Sequence, residues 1–248
     1  MPIVRILLML FALVSPALAQ DGKSDTAAAR EAAMDFRVYV DGVKRKGERP
    51  DLTRPEVAAQ LGHVFNLDAL NALPPVQGGD LPWLLDWIEA ANTVNKLILL
   101  YGAKAGPQPD LAALQRNMTE YEDQYAAAVN FLIRAQAREA TATKMFLADL
   151  KPEERTRIRE EGFTRARGSS AEFILATICA VIDSGGKPEN ARLVAAAIRD
   201  TKEVWAGYFL PKDRPRILQV LAEYSKRVPD ETARADLVAF TSAIEKVD

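Results

Sequence analysis

Proline followed by an acid recurs along this chain, at Pro55-Glu56, Pro109-Asp110, Pro152-Glu153, Pro188-Glu189 and Pro229-Asp230. Each pair precedes apolar residues at three- and four-residue spacing, the mark of a helix with one buried face. Proline fits the first helical turn, where its missing N–H would have no carbonyl to bond. The acid beside it faces the positive end of the helix dipole. Each pair therefore predicts a helix start, and Asp80 predicts another by capping Leu81-Pro82. An N-terminal helix is expected over residues 24–46, with Ala33, Phe36, Val40 and Val43 on one face. Pro and Gly clusters at 74–79, 102–109, 184–186 and 210–211 supply the stops. No alternating apolar–polar run is bounded by turns, so no sheet is expected. The pairs are unevenly spaced, which excludes a solenoid repeat. The predicted fold class is all-α, a multi-helix bundle of about seven to nine helices.

The stretch GSSAEFILATICAVIDSGG, residues 168–186, holds the only cysteine in a nearly unbroken apolar run. Gly168 is expected to end one helix, and Ser169 with Glu172 to open the next as a capping box. Gly185 is expected to end it. Residues 171–182 would rise only about 18 Å, against about 30 Å of hydrocarbon, so the run cannot be a membrane anchor. Phe173, Ile174, Leu175, Ile178, Val181 and Ile182 cover most of the circumference. A helix apolar all round must be surrounded. Residues 170–183 are therefore predicted to be the central helix, with Cys179 buried in it as an inert thiol.

Residues 109–150 read as one long helix. Leu111, Leu114, Met118, Tyr121, Tyr125, Ala128 and Leu132 form a seam, and no Gly or Pro interrupts it. Such a helix would run about 63 Å, longer than the about 45 Å expected across a compact domain of this size. The expected consequence is an elongated molecule. The loop at 71–80 is the predicted boundary between an N-terminal helical segment, 20–76, and a main bundle, 80–248.

The first residues read as a secretory signal. Arg5 precedes an apolar stretch at 6–14, Pro16 breaks it, and Ala17-Leu18-Ala19 is a small-residue cleavage site. Segment 1–19 would be removed, leaving a mature chain from Gln20 in the periplasm or outside the cell. No cysteine follows the site to carry a lipid. No integral span is expected in the mature chain. With Cys179 alone no internal disulfide can form. The net charge is −2, and −3 without Arg5, which gives no basic face for nucleic acid.

Candidate chemistry is sparse. His63 is the only histidine and has no cysteine pair to complete a zinc site, so neither a metal nor another cofactor is expected. No Gly-x-Ser-x-Gly elbow is present. Glu120, Glu122 and Asp123 around Tyr121 read as a solvated helix face. Arg155, Arg157, Arg159, Arg165 and Arg167 are interleaved with glutamates at helical spacing and largely neutralised. Two groups are retained as ligand-site candidates. Trp83, Trp87 and Tyr101, with Asn92 or Asn95 as polar handles, could wall a pocket between helices. Arg165 and Arg167, just before the predicted helix start at Ser169, could hold an anion.

Two functional readings follow. The first is an exported, non-enzymatic helical protein that binds a partner protein or a small apolar ligand. The alternative is an envelope hydrolase acting on cell-wall glycan through paired carboxylates, which need neither histidine nor metal.

Overall fold

A computed structural model describes residues 22–103, 110–182 and 186–247. The predicted signal segment, 1–19, and the predicted stop at Gly185 lie outside them. Among the described residues every regular element is helical, as the sequence pattern predicts. The α-helices are α1 (Gly22–Arg45), α2 (Pro55–Val64), α3 (Leu67–Ala72), α4 (Leu81–Leu99), α5 (Leu111–Glu120) and α6 (Glu122–Asp149). They continue as α7 (Arg157–Thr177), α8 (Pro188–Asp200), α9 (Lys202–Tyr208), α10 (Arg214–Arg227) and α11 (Glu231–Glu245). No helix among them is long and apolar enough to cross a membrane.

The proline–acid pairs work in two ways. Pro55 and Pro188 occupy the first position of α2 and α8. Asp110 and Asp230 instead cap α5 and α11, accepting from Ala113 N at 3.0 Å and Ala233 N at 2.9 Å. Pro152 opens only a 3-10 turn, Pro152–Glu154, and α7 starts later behind Thr156. Asp80 does not cap α4. Its carboxylate accepts from Gln77 N at 2.7 Å and from Trp83 Nε1 at 3.1 Å, closing the turn before the helix.

The centre of the molecule is α6, not the apolar run at 170–183. Residues 126 and 128–133 of α6 are all buried. One side of α6 carries Phe131, Leu132 and Ala135 into a core with α1, α2 and α4. The other side carries Ala126, Val129, Ile133, Ala137 and Ala140 into a core with α7 to α11. In that second core Trp205 stacks on Phe209 at 6.1 Å, and Phe209 meets Phe240 edge-on. Residues on both sides of the 71–80 loop share the first core.

The described part of that run, 170–182, is amphipathic. Ala171, Ile174, Leu175, Ile178, Val181 and Ile182 are buried, whereas Glu172, Ala176 and Cys179 form an exposed stripe. The expectation of a buried Cys179 is therefore overturned. Small residues on that stripe carry little apolar surface, so leaving them in water costs little. Helix α7 also runs straight through Gly168 and Ser169, with Ser170 Oγ bonded to Ala166 O at 3.0 Å. An internal glycine weakens a helix by only about 1 kcal/mol, too little to end one whose later turns bury Ala171 and Ile174. The helix closes in a π turn, Ile178–Ile182.

The predicted helix at 109–150 is broken at Tyr121, where φ is −111° and ψ 33°. The cause is tertiary. The loop after α1 places Arg49 between the rings of Tyr101 and Tyr121, 5.9 and 5.6 Å from their centres. Arg49 donates to Glu120 Oε1 and Asn117 Oδ1, both at 2.8 Å. Tyr121 donates to Pro50 O at 3.0 Å, and Tyr101 to Glu48 O. Asn117 Nδ2 donates to the carbonyls of Leu99 and Tyr101 at 2.8 Å, satisfying the frayed end of α4. Hydrogen bonding to Arg49 holds the Glu120 carboxyl below the usual range. Burial pushes the Tyr121 hydroxyl up to about 12.

This network predicts that Arg49→Ala lowers stability by about 1–2 kcal/mol, from lost cation–π and hydrogen-bond terms. Arg49→Lys should recover little, because an ammonium cannot keep the planar stack and the forked bonds together. Urea unfolding of the three proteins measures this. A midpoint for Arg49→Ala equal to that of the parent would contradict the assigned role.

Candidate ligand-binding groove

The residues of the first group are engaged in separate contacts. Trp87 is buried, donates Nε1–H to Val64 O at 2.9 Å, and packs on Phe131 with ring centres 5.4 Å apart. Trp83 donates to Asp80, and its ring lies against the backbone of Gly22. Tyr101 belongs to the Arg49 network. Asn92 is half-buried on α4, about 140° around the helix from Trp87. Asn95 is buried, and its Oδ1 has no hydrogen-bond partner. The polar ends of Trp83, Trp87 and Tyr101 are thus consumed by contacts that hold α4 in place.

The second group is split. Arg165 and Arg167 sit in mid-helix, so no helix N-terminus stands beside them. Arg167 turns inward, lies 5.6 Å from the centre of the Tyr208 ring, and donates to Tyr208 O and to Phe209 O, the latter at 3.1 Å. It satisfies the end of α9. Arg165 turns outward into a groove between α7 and α10.

That groove encloses about 510 Å³ and is open to solvent. Thr164, Arg165, Gly168, Ser169, Glu172 and Leu175 line one wall, recurring every three or four residues along one face of α7. Leu210, Lys212, Asp213, Arg216 and Ile217 line the other. Ala171, Leu175 and Ile217 are buried and make the floor apolar. Arg216 grips Glu172 through both terminal nitrogens, at 2.6 and 3.3 Å, and both side chains are exposed. Arg165 and Lys212 have no ion-pair partner among the described residues. A Cβ added at Gly168 would meet nothing within 4 Å. Glycine is therefore not demanded there by packing, and its effect is to leave the groove wide.

Lys212, Arg216 and Glu172 were not among the sequence candidates. Glu172 and Arg216 are 44 residues apart, and no local pattern links them. Glu120, Glu122 and Asp123 prove to be ties between elements. Asp123 bonds Lys187 Nζ and Asn190 Nδ2, and Glu122 accepts from Lys187 N at 2.6 Å. His63 is exposed. Among the described residues no group of three or more His, Cys, Asp or Glu could hold a metal ion.

Acids that meet other helices are mostly paired with cations. Asp236 and Asp200 share Arg199, and Asp200 also bonds Arg134 at 2.7 Å. Burial pushes the Asp200 carboxyl up, but the hydrogen bonds from the two arginines outweigh it and hold it below the usual range. Glu139 on α6 is the exception. Burial pushes its carboxyl above the usual range, against the bond it accepts from Thr143 Oγ1 at 2.8 Å. The Tyr208 hydroxyl is raised as well, first by burial and then by the Glu139 charge. With its folded pKa raised, Glu139 binds its proton more tightly in the folded state. Its contribution to stability is full below the unfolded value of about 4.3 and is lost as pH rises through the folded value. Glu139→Gln should therefore raise the melting temperature at pH 7, and the gain should close by about pH 4. A gain that persists unchanged in acid would contradict the burial of an ionised carboxylate as its cause.

The chain matches no family model, no curated protein and no solved structure.

Proposed function

We propose that this is an exported helical protein that binds a small ligand with an apolar body in the groove between α7 and α10. The observation that carries the reading is the groove itself, about 510 Å³ with an apolar floor of Ala171, Leu175 and Ile217. That size falls in the range of small-molecule sites, about 300–1,000 Å³. Hydrolysis by paired carboxylates has less behind it. Glu172 and Asp213 share the groove, but Glu172 is exposed and bridged to Arg216. A general acid working at neutral pH is a carboxyl kept protonated by burial or by a neighbouring like charge.

The binding reading is tested with a neutral fluorescent probe, N-phenyl-1-naphthylamine. Gly168→Leu should weaken its binding at least tenfold by filling the groove. The same substitution should raise the melting temperature, because leucine is a better helix former than glycine by about 0.8 kcal/mol and meets open space. Loss of binding with gain of stability separates blockage from unfolding. Unchanged binding in Gly168→Leu would remove the groove as the site. The export reading rests on the pattern at 1–19 and predicts that the secreted or periplasmic fraction carries a chain starting at Gln20, read by N-terminal sequencing. Intact protein confined to the cytosol would sink it.

A further inference from the structure

We propose that the groove selects a singly charged amphipathic anion, with an oxyanion group held at the rim by Arg165 and Lys212 and an apolar body on the floor. The inference rests on the binding reading above and names the chemical class of its ligand. Three cations line the groove, Arg165, Lys212 and Arg216, against two acids, Glu172 and Asp213. Arg216 is engaged by Glu172 through both nitrogens, so that pair is internally neutralised. Of what remains, Arg165 stands on α7 and Lys212 on the opposite wall, and neither has an ion-pair partner among the described residues. Arg165 and Lys212 thus bring two unpaired cations to the groove from different elements, α7 and the segment before α10. Asp213 offsets one of them, which leaves a net charge suited to a monoanion. Ser169, one turn along from Arg165, adds a hydroxyl donor on the same wall. Helix α10 begins at this rim without a side-chain cap, so its dipole adds positive potential in the same place.

The apolar floor lies below this rim. Ala171, Leu175 and Ile217 offer no polar atom to a ligand from their side chains, and Gly168 leaves room above them. A fully hydrated inorganic ion would gain nothing from that floor. A body that is apolar throughout would leave Arg165 and Lys212 unused. An oxyanion attached to an apolar body satisfies both parts of the groove together.

The test is a matched pair of probes on the full-length mature protein. 1-Anilinonaphthalene-8-sulfonate is N-phenyl-1-naphthylamine carrying one sulfonate, so the difference in affinity reports the anion alone. The portion of each signal abolished by Gly168→Leu is assigned to the groove. The sulfonate is expected to bind at least tenfold tighter than the neutral probe. Raising the salt from 50 to 500 mM should weaken the sulfonate severalfold and leave the neutral probe unchanged, because the contributing charges are exposed. The double variant Arg165→Gln, Lys212→Gln should bring the sulfonate down to the affinity of the neutral probe. Glu172→Gln should release Arg216 and tighten the sulfonate severalfold, a gain that a damaged fold would not produce. Equal affinity for the two probes in the parent protein overturns the anion proposal while leaving the groove as an apolar site. Equal weakening of both probes in the double variant overturns it in the same way. Failure of both probes to bind at the groove overturns the proposal and the functional reading beneath it.

Discussion

Over residues 128–133 helix α6 is buried on every side, and the arrangement of the other helices follows from that. A helix surrounded on every side must supply two apolar surfaces, and α6 does so with Phe131, Leu132 and Ala135 on one side and Val129, Ile133 and Ala137 on the other. Helix α4 packs most closely on the first surface, and α8 and α9 on the second, with the remaining helices sharing the two cores behind them. Phe173 of α7 packs against both cores and ties them across α6. Because α6 fills the centre, every other helix is left with one face to bury and one to leave in water. The apolar run near Cys179 is subject to the same rule.

Polar contacts then fix how the surrounding helices attach. Arg49 joins the α1–α2 loop to the break between α5 and α6, and its planar group uses both its faces and its edge. Lys187 with Asn190 joins the start of α8 to Asp123 at the start of α6. Arg134 reaches from the middle of α6 to Asp200 at the end of α8. Most of these charges are partly exposed, so each pair stabilises only modestly. Their effect is positional: they choose one register among packings that apolar surface alone would leave nearly equal in energy.

The groove between α7 and α10 is a consequence of how little α7 is covered. Most of its first half is exposed, and only Phe163, Arg167 and Gly168 there are partly covered among the side chains described. With Glu172 and Arg216 bridging the two helices and Gly168 removing bulk, the space is left open above an apolar floor. Stability would favour a larger residue at Gly168. The groove therefore sits where helix propensity and open volume oppose each other.

By itself the sequence determined the all-α class and the starts of α1, α2, α4, α5, α8 and α11. Pro55, Asp110, Pro188 and Asp230 act on amides within one turn of themselves, so their meaning does not depend on the rest of the fold. The buried face of α1, with Ala33, Phe36, Val40 and Val43, was legible for the same reason, since its spacing is local. Of the candidate site, only Arg165 was legible. Three things were decided by tertiary structure alone. The central helix is α6, where Arg134 is accommodated by bonds to Asn130 and Asp200. The break at Tyr121 depends on Arg49 and Pro50, about 70 residues earlier in the chain. The groove needs α7 and α10 side by side, with Glu172 meeting Arg216. Caps and periodicity report energies between residues a turn apart; which faces meet is set by burial summed over the whole chain, and no short stretch carries that sum.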